Sequence, residues 1–310
     1  MIMSMQTHPD ADSERGAMSG QPTHQPRLRH VQCLGGQGLH RMAYWEWGDA
    51  ANPRVLVCVH GLSRQGRDFD TLAAALCGDY RVVCPDVVGR GQSDWLADAM
   101  GYNIPAYVAD MVSLLARLDA ATVHWVGTSM GGLIGLGLAA LPGSPISRLV
   151  LNDVGPTIEP VSLQRIGSYL GQPVHWATVD EAADALLAIS QGFGPHSRAQ
   201  WLRLTRPQLK AQGSGFKPHY DPAIAVPFGQ ITPELARLGE AALWQRYDCL
   251  QCPTLLLRGA QSDLLSPATA LAMTQRGPKA RLVEFDGVGH APTLVQPGQV
   301  QVVQEFLRAP

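Results

Sequence analysis

The sequence predicts an α/β fold in which a mostly parallel, doubly wound sheet is interrupted once by a mainly helical insertion. Short apolar runs rich in β-branched residues alternate with helix-like segments up to residue 154, and the alternation resumes near residue 244. Runs that are apolar almost throughout, such as residues 54–59, are typical of strands buried on both faces of a parallel sheet. Helical crossovers then cover both faces of that sheet.

The elements of the first half follow in order along the chain. Residues 29–34 and 41–47 flank a glycine-rich turn and are predicted to form an antiparallel hairpin. The further predicted strands are residues 54–59, 80–84, 122–126 and 147–152, and the predicted helices between them are residues 70–77, 104–118 and 131–140.

The second half of the sequence predicts a helical insertion followed by further strands of the sheet. Residues 155–243 contain helical segments such as 178–189 and 231–242 but no clear parallel strand. Strands are predicted again at residues 254–257 and 281–285, with a closing helix at 297–307. The predicted organisation is a loose tail at 1–28, a core made of 29–154 and 244–310, and the insertion at 155–243.

Charge and hydropathy exclude several classes of partner. Lys plus Arg number 24 against 26 Asp plus Glu, a net charge of -2, so the chain lacks the basic field that recruits nucleic acid or anionic lipid. The longest apolar stretch, around residues 131–141, is far shorter than the roughly 18 to 20 residues that span a bilayer. The first 30 residues have no apolar signal-peptide core. We therefore expect a cytoplasmic protein without nucleic-acid or membrane partners.

The cysteines predict neither a disulfide scaffold nor a metal centre. Six cysteines in 310 residues are too few for a disulfide-rich fold, and several lie in apolar runs that resemble buried strands. Cys249 and Cys252 have CxxC spacing, but no second pair or flanking histidines complete a zinc site. We expect no metal and no cofactor.

The most informative motif places a serine on a glycine-rich turn. Ser129, in Gly-Thr-Ser-Met-Gly-Gly, lies between a predicted strand and an apolar helix. A serine on such a tight strand-to-helix turn projects its hydroxyl out of the sheet, and the flanking glycines let neighbouring backbone pass close by. The helix N-terminus also favours developing negative charge. Ser129 is therefore the candidate nucleophile.

Two further loops lie beyond predicted strands. His60-Gly61-Leu62-Ser63 follows residues 54–59, and a turn there can direct the backbone N–H of Leu62 toward the point that the Met130 N–H faces. These two donors would form an oxyanion hole. We interpret His60 as a structural residue rather than the base. The loop from Asp86 to Ser93 is also interpreted as structural, with Asp86 fixing its conformation.

A nucleophilic serine needs a base and an acid that orients the base. His290 follows the predicted strand 281–285 on a glycine-rich loop, and Asp263 follows the predicted strand 254–257. Both lie past the carboxyl ends of predicted parallel strands, where open α/β sheets build their sites. We predict His290 as the general base and Asp263 as the acid.

Together these motifs resemble the α/β-hydrolase superfamily, in particular its small cap-bearing serine hydrolases of esterase or lactonase type. The resemblance extends from about residue 29 to the end, with the motifs in the family's order. It implies a nucleophile at Ser129, an acid at Asp263, a base at His290 and oxyanion donors at Leu62 and Met130. The insertion at 155–243 corresponds to the family's cap domain.

Asp153 is an alternative for the acid. It ends the predicted strand at 147–152, directly after the nucleophile helix, a place from which some family members supply the acid. Asp263 is preferred because its loop precedes the histidine strand in the usual way. In that case Asp153 would cap or anchor the start of the insertion.

The leading functional hypothesis is hydrolysis of a small-molecule carboxylic ester, lactone or thioester through an acyl-serine intermediate. Serine at the nucleophile position argues against relatives that open halides or epoxides through a carboxylate. An alternative is carbon–carbon bond hydrolysis of a vinylogous diketone, although such relatives typically carry asparagine and tryptophan where this chain has Thr128 and Ala291. A second alternative is a ligand receptor that retains the triad.

The sequence offers three candidates for substrate contacts. Arg64, just past the oxyanion turn, is a candidate for contact with an anionic group, or else a solvated loop charge. Trp201 and Phe216 are candidates to line an apolar cap pocket, although aromatic residues of a helical insertion more often pack internally. The sequence does not distinguish a monomer from a homodimer, and the homodimer is kept as a hypothesis.

Overall fold

The structure is a computed structural model that describes residues 25–120 and 122–309. Most of the predicted tail lies outside the described residues, and its last residues already belong to the first strand. The ten strands within the described residues are β1 (Arg27–Gly35), β2 (Gly38–Trp47), β3 (Val55–Val59), β4 (Arg81–Pro85), β5 (Val123–Thr128), β6 (Ile146–Asn152), β7 (Leu209–Gln212), β8 (Gly215–Pro218), β9 (Thr254–Gly259) and β10 (Arg281–Phe285).

Ten α-helices connect these strands in the same described part of the chain. They are α1 (Asp70–Leu76), α2 (Ile104–Leu118), α3 (Met130–Ala139), α4 (Pro160–Tyr169), α5 (Val179–Ile189), α6 (Arg198–Thr205), α7 (Ala225–Gly229), α8 (Pro233–Asp248), α9 (Pro267–Gln275) and α10 (Pro297–Arg308). Several of these helices begin at a residue whose side chain caps the helix N-terminus. Asn103 caps α2 by accepting the Ala106 N–H, and Ser266 caps α9 by accepting the Thr269 N–H.

Eight strands of the described chain form one sheet in the order β1-β2-β4-β3-β5-β6-β9-β10. β1 and β2 form the antiparallel hairpin that the sequence predicts, and β2 also pairs antiparallel with β4. All remaining pairs are parallel. The predicted mostly parallel sheet is confirmed.

The sheet is covered on both faces, as its apolar strands require. Side chains of β3 alternate between two cores: Val55, Val57 and Val59 contribute to one, and Leu56 and Cys58 to the other. The first core also receives residues of α2, α3 and α9, whereas the second receives residues of α1 and α10. The period of two along each strand therefore separates two helix layers and makes the fold doubly wound.

The chain between β6 and β9 contains helices α4 to α8 and a small hairpin of β7 and β8. The sequence does not predict this hairpin, because its strands are only four residues long and contain no continuous apolar run. Phe216 of β8 exchanges two backbone hydrogen bonds with Trp176. Helix α8 runs past residue 243, the predicted end of the insertion. The division into core and cap stays a proposal.

The fold gathers the predicted site residues at one edge of the sheet. Loops at the carboxyl ends of β3, β5, β6, β9 and β10 carry Leu62, Ser129, Asp153, Asp263 and His290, respectively. β3 pairs with β4 on one side and with β5 on the other, the kind of reversal beside which open α/β sheets form binding crevices. Among the described residues, no helix is both long enough and apolar enough to cross a membrane.

Candidate active site

Ser129 occupies a strained turn between β5 and α3. Its backbone has φ 52° and ψ −116°, a combination that non-glycine residues rarely adopt. The turn is tight because its neighbours are glycines: a Cβ atom on Gly127 would collide with the Gly131 carbonyl, and one on Gly131 would collide with the Val59 carbonyl. The backbone therefore approaches β3 closely and presents the serine hydroxyl above the sheet.

His290 lies beside this hydroxyl. Its Nε2 is 3.0 Å from Ser129 Oγ, and its Nδ1 is 2.7 Å from Asp153 Oδ2. Because the aspartate is an acceptor, the arrangement assigns the proton to Nδ1 and leaves Nε2 to accept from the serine hydroxyl. The predicted neighbours Ser129 and His290 are thus brought together.

Asp153, rather than Asp263, is the carboxylate at His290. It is fully buried just after β6, with φ 55°, and its Oδ1 accepts the Gly259 N–H at 2.9 Å. Its Oδ2 accepts both His290 Nδ1–H and the Ser262 hydroxyl, the latter at 2.6 Å. These donors compensate the cost of burying the charge. We expected Asp153 to cap or anchor the start of the insertion, but in the structure its carboxylate is hydrogen-bonded to His290.

The prediction that Asp263 orients His290 through a hydrogen bond is contradicted by this geometry. Arg165 of α4 donates to both Asp263 oxygens, Nε to Oδ2 at 2.6 Å and Nη2 to Oδ1 at 2.9 Å. Partial burial opposes ionisation of Asp263, but the bonds and charge of Arg165 prevail and lower its pKa. The carboxylate is therefore committed to a cation on α4.

The loop after β3 lies against the nucleophile turn. A Cβ atom on Gly61 would be 3.7 Å from Ser129 Cβ, so the Gly61–Leu62 backbone passes next to the serine. The fully buried Arg90 holds both predicted oxyanion residues, donating from Nε to the Leu62 carbonyl at 2.8 Å and contacting Met130 Sδ at 3.5 Å. Arg90 belongs to the loop from Asp86 to Ser93, which is interpreted from the sequence only as structural. The contacts of Arg90 with Leu62 and Met130 are not predicted from the sequence.

His60 and Asp86 support these loops from below. His60 is buried, accepts the Val87 N–H at Nε2 and donates from Nδ1 to the Gly61 carbonyl at 2.7 Å. Burial lowers its pKa to about 3, so it stays neutral. Asp86 accepts the Gly66 and Gln92 N–H groups, and burial raises its pKa to about 6. Both side chains serve the backbone rather than the reaction.

A cavity of about 410 Å³ opens above Ser129 and His290. This volume is within the range of small-molecule sites. Its walls come from the loops of the sheet and from the segment between β6 and β9. Of the predicted substrate contacts, Arg64 lines the cavity. The apolar and aromatic lining residues from that segment include Ile166, Tyr169, Trp176, Leu186, Ile189, Phe193 and Tyr220.

The predictions for Trp201 and Phe216 do not agree with the structure. Neither side chain is among the described residues that line the cavity. Trp201 is 2% exposed, packs with Ala183 and Leu204 and donates its indole N–H to the Ala183 carbonyl at 2.6 Å. Phe216 belongs to the hairpin that pairs with Trp176. Trp201 is therefore a packing residue, and composition alone does not distinguish it from Phe193 and Tyr220, which line the cavity.

Similarity to known proteins identifies the family of this chain. Residues 56–301 match the model of the alpha/beta hydrolase family. The chain belongs to this family. The match spans most of the sheet and the whole segment between β6 and β9, so the resemblance carried by the motifs is confirmed.

Several relatives narrow the reaction class. A 3-hydroxybutyrate-oligomer hydrolase of Cupriavidus necator is 56% identical over 285 residues, which cover 91% of this chain and 97% of that protein. An esterase of Mycobacterium tuberculosis is 27% identical and covers 84% of this chain and 83% of that protein. A solved alpha/beta hydrolase of Novosphingobium aromaticivorans, 36% identical, superposes with a TM-score of 0.80 over 91% of this chain and 98% of that one.

These findings confirm the prediction of a carboxylic-ester hydrolase that acts on small molecules. The fold is that of the family, and the site has the serine, histidine and carboxylate that ester hydrolysis needs.

Proposed function

We propose that this chain cleaves short oligomeric esters of a hydroxy acid, of the 3-hydroxybutyrate type, with Ser129 as nucleophile, His290 as general base and Asp153 as the orienting acid. One observation carries the proposal. Ser129 Oγ, His290 and Asp153 are connected by hydrogen bonds, and Ser129 and His290 line a cavity of about 410 Å³. The relative that is 56% identical over nearly its whole length, named a 3-hydroxybutyrate-oligomer hydrolase, supports the substrate class.

The reaction begins when Ser129 Oγ attacks the ester carbonyl while its proton passes to His290 Nε2. Asp153 keeps the proton on Nδ1 and stabilises the imidazolium that forms. The N–H groups of Leu62 and Met130 would receive the developing oxyanion, and the close approach of the Gly61–Leu62 backbone to the serine supports this role.

Collapse of the tetrahedral adduct breaks the bond to the alcohol oxygen, which takes the proton from His290 Nε2. The acyl group is then bound to Ser129. Water attacks this second ester with His290 again as base, releasing the carboxylic acid and restoring the serine hydroxyl. The sum is one ester and one water converted into one acid and one alcohol.

The test combines a substrate panel with a covalent probe. We expect Ser129→Ala to fold normally and to lose at least about a thousandfold of kcat/KM on p-nitrophenyl butyrate and on 3-hydroxybutyrate dimers, because the acyl-enzyme route is removed. A fluorophosphonate should label Ser129, as read by peptide mass spectrometry. Ser190 lines the same cavity, so Ser190→Ala is the matched control and should keep the label.

The outcomes separate the two halves of the proposal. A label on another residue, or near wild-type turnover by Ser129→Ala, would contradict the nucleophile. Turnover of p-nitrophenyl butyrate without any cleavage of the dimers would leave the triad in place and contradict the substrate class.

Two expectations from the sequence stay predictions: the cytoplasmic location and the homodimer. Cell fractionation tests the first. Sedimentation of the purified chain at several concentrations tests the second.

A further inference from the structure

The cavity contains two arginines, and each is paired with an aspartate. Arg64 donates from Nε and Nη2 to the two oxygens of Asp68, both at 2.7 Å, and from Nη2 to the Leu204 carbonyl at 3.3 Å. Gln208 adds a bond to Asp68 Oδ1 at 2.9 Å. Arg64 and Asp68 both line the cavity, so the charges compensate each other within its wall.

The second pair is arranged differently. Arg165, on α4, donates from Nε and Nη2 to the two oxygens of Asp263. Among the described residues that line the cavity, Arg165 is present and Asp263 is not. The side chain of Arg165 is 37% exposed, against 14% for Arg64. The cation therefore lines the cavity, whereas its counter-ion does not.

The two bonds to Asp263 fix the guanidinium without using all of its donors. They occupy the edge formed by Nε and Nη2, and a planar guanidinium has a further edge formed by Nη1 and Nη2. Tyr169 lies one helical turn further along α4, interacts with Arg165 and also lines the cavity. Such a pre-oriented fork matches the geometry of a carboxylate.

We infer that Arg165 is the receptor for the free terminal carboxylate of the substrate, and that Asp263 holds it in place. The inference rests on the proposed function and deepens it: the preferred substrates are oligomers with an ionised end, and the cleaved ester is the one that reaches Ser129 while the end is bound to Arg165. Arg165 is thus a specificity-determining residue. The predicted acid, Asp263, acts through it as a positioning residue.

The cavity that Arg165 lines is largely apolar. A carboxylate that leaves water for such a site needs a cation and charge-assisted hydrogen bonds in return. Arg64 has its charge compensated within the wall and donates to Asp68 and Leu204, so it offers less to a ligand. The competing view of Arg165 is that it only clamps α4 to the loop after β9.

The experiment compares a 3-hydroxybutyrate dimer with the same dimer whose carboxylate is converted to a primary amide. The amide is nearly isosteric but neutral, so the ratio of the two kcat/KM values isolates recognition of the charge. We expect Arg165→Gln to lower this ratio by roughly 10- to 100-fold, mainly through KM of the acid. Arg165→Lys should restore part of it, because a point charge remains. Arg64→Gln, the matched control, should leave the ratio unchanged.

A clamp without a receptor role predicts a different result. If Arg165→Gln lowered kcat/KM of the acid and of the amide equally, or if Arg64→Gln changed the ratio as much, the inference would be overturned. The rate of fluorophosphonate labelling at Ser129 reports whether each variant keeps its site.

A measurement on the wild-type protein keeps the test independent of how the variants fold. Free 3-hydroxybutyrate should inhibit hydrolysis of p-nitrophenyl butyrate competitively, and 3-hydroxybutyramide should inhibit at least about tenfold more weakly. Equal inhibition would contradict the inference. If the wild type hydrolysed p-nitrophenyl butyrate but neither form of the dimer, the proposed substrate class would fail, and the inhibition ratio would still decide the role of Arg165.

Discussion

Asp153 and Asp263 follow two neighbouring parallel strands, β6 and β9, yet they lie in opposite environments. Asp153 is fully buried, in a left-handed backbone conformation, and contacts His290. Asp263 is partly exposed and paired with Arg165 of α4. The loop after β9 nevertheless contributes to the triad, because its Gly259 N–H and Ser262 hydroxyl both donate to Asp153.

The difference shows that the loop that carries the acid and the loop whose groups donate to it lie after two different, adjacent strands. The buried carboxylate needs several hydrogen bonds, and the β9 loop supplies two of them. The β9 loop supplies hydrogen-bond donors to the triad rather than the acid, and its own aspartate, Asp263, pairs with another residue. In this chain the partner is a cation at the cavity wall.

The largest loss of activity is expected from a substitution at Asp153. Asp153→Asn should reduce kcat/KM on p-nitrophenyl butyrate by about a thousandfold or more, because a neutral amide favours the wrong imidazole tautomer and leaves the imidazolium unsupported. Asp263→Asn should cost at most about tenfold on this neutral ester, since the Asp263 carboxylate is hydrogen-bonded to Arg165 and the carboxylate hydrogen-bonded to His290 is that of Asp153. Steady-state kinetics of both variants, with folding checked by circular dichroism, make the measurement. Equal losses, or a larger loss at Asp263, would return the acid role to Asp263.

The sequence predicts much of this comparison but not its outcome. Apolar runs at β3, β5 and β9 define the sheet, and parallel strands place Ser129, His290 and both aspartates at one edge. Either aspartate could then face the histidine. Deciding between them requires the backbone angle at residue 153 and the direction of the Ser262 hydroxyl, which neither periodicity nor motif spacing encodes.

The cavity lining was harder to predict for a related reason. Trp201 and Phe193 belong to the same segment, and only their placement relative to α5 and α6 separates the packing residue from the lining residue. Arg165 carries no sequence signal, because nothing in α4 suggests that a residue 98 positions later is its partner. Long-range pairs of this kind depend on the packing of the segment onto the sheet.

A smaller effect should follow from the bond that links the two loops. Ser262→Ala removes the hydroxyl that donates to Asp153 Oδ2 and accepts the Leu264 and Leu265 N–H groups. We expect about a 3- to 30-fold loss of kcat/KM on the neutral ester and a stability loss of about 1 kcal/mol. Ser266→Ala is the control: it removes the cap of α9, costs about 1 kcal/mol and should keep the activity. Similar activity in the two variants would mean that Ser262 does not support the triad.

The smallest effect concerns the stability that Asp263 contributes. Because Arg165 lowers the pKa of Asp263 relative to the unfolded chain, the pair stabilises the protein above the ordinary aspartate pKa. This contribution is lost as the pH falls through the lowered pKa. Both side chains are about one third exposed, so solvent screens the pair and limits its worth to about 1 kcal/mol or less.

We therefore expect Asp263→Asn to lower the free energy of unfolding by about 1 kcal/mol or less at pH 7. The difference from wild type should shrink as the pH approaches and passes below the ordinary aspartate pKa of about 3.9. Urea denaturation of both proteins across that range measures it, with Asp248→Asn as a control because its partner Arg276 forms a comparably exposed pair. A loss of several kcal/mol at pH 7 would identify the Arg165–Asp263 pair as a structural clamp. A clamp of that strength would still hold Arg165 in place, so the ratio of kcat/KM for the acid and the amide, and not the stability, decides whether Arg165 is a carboxylate receptor.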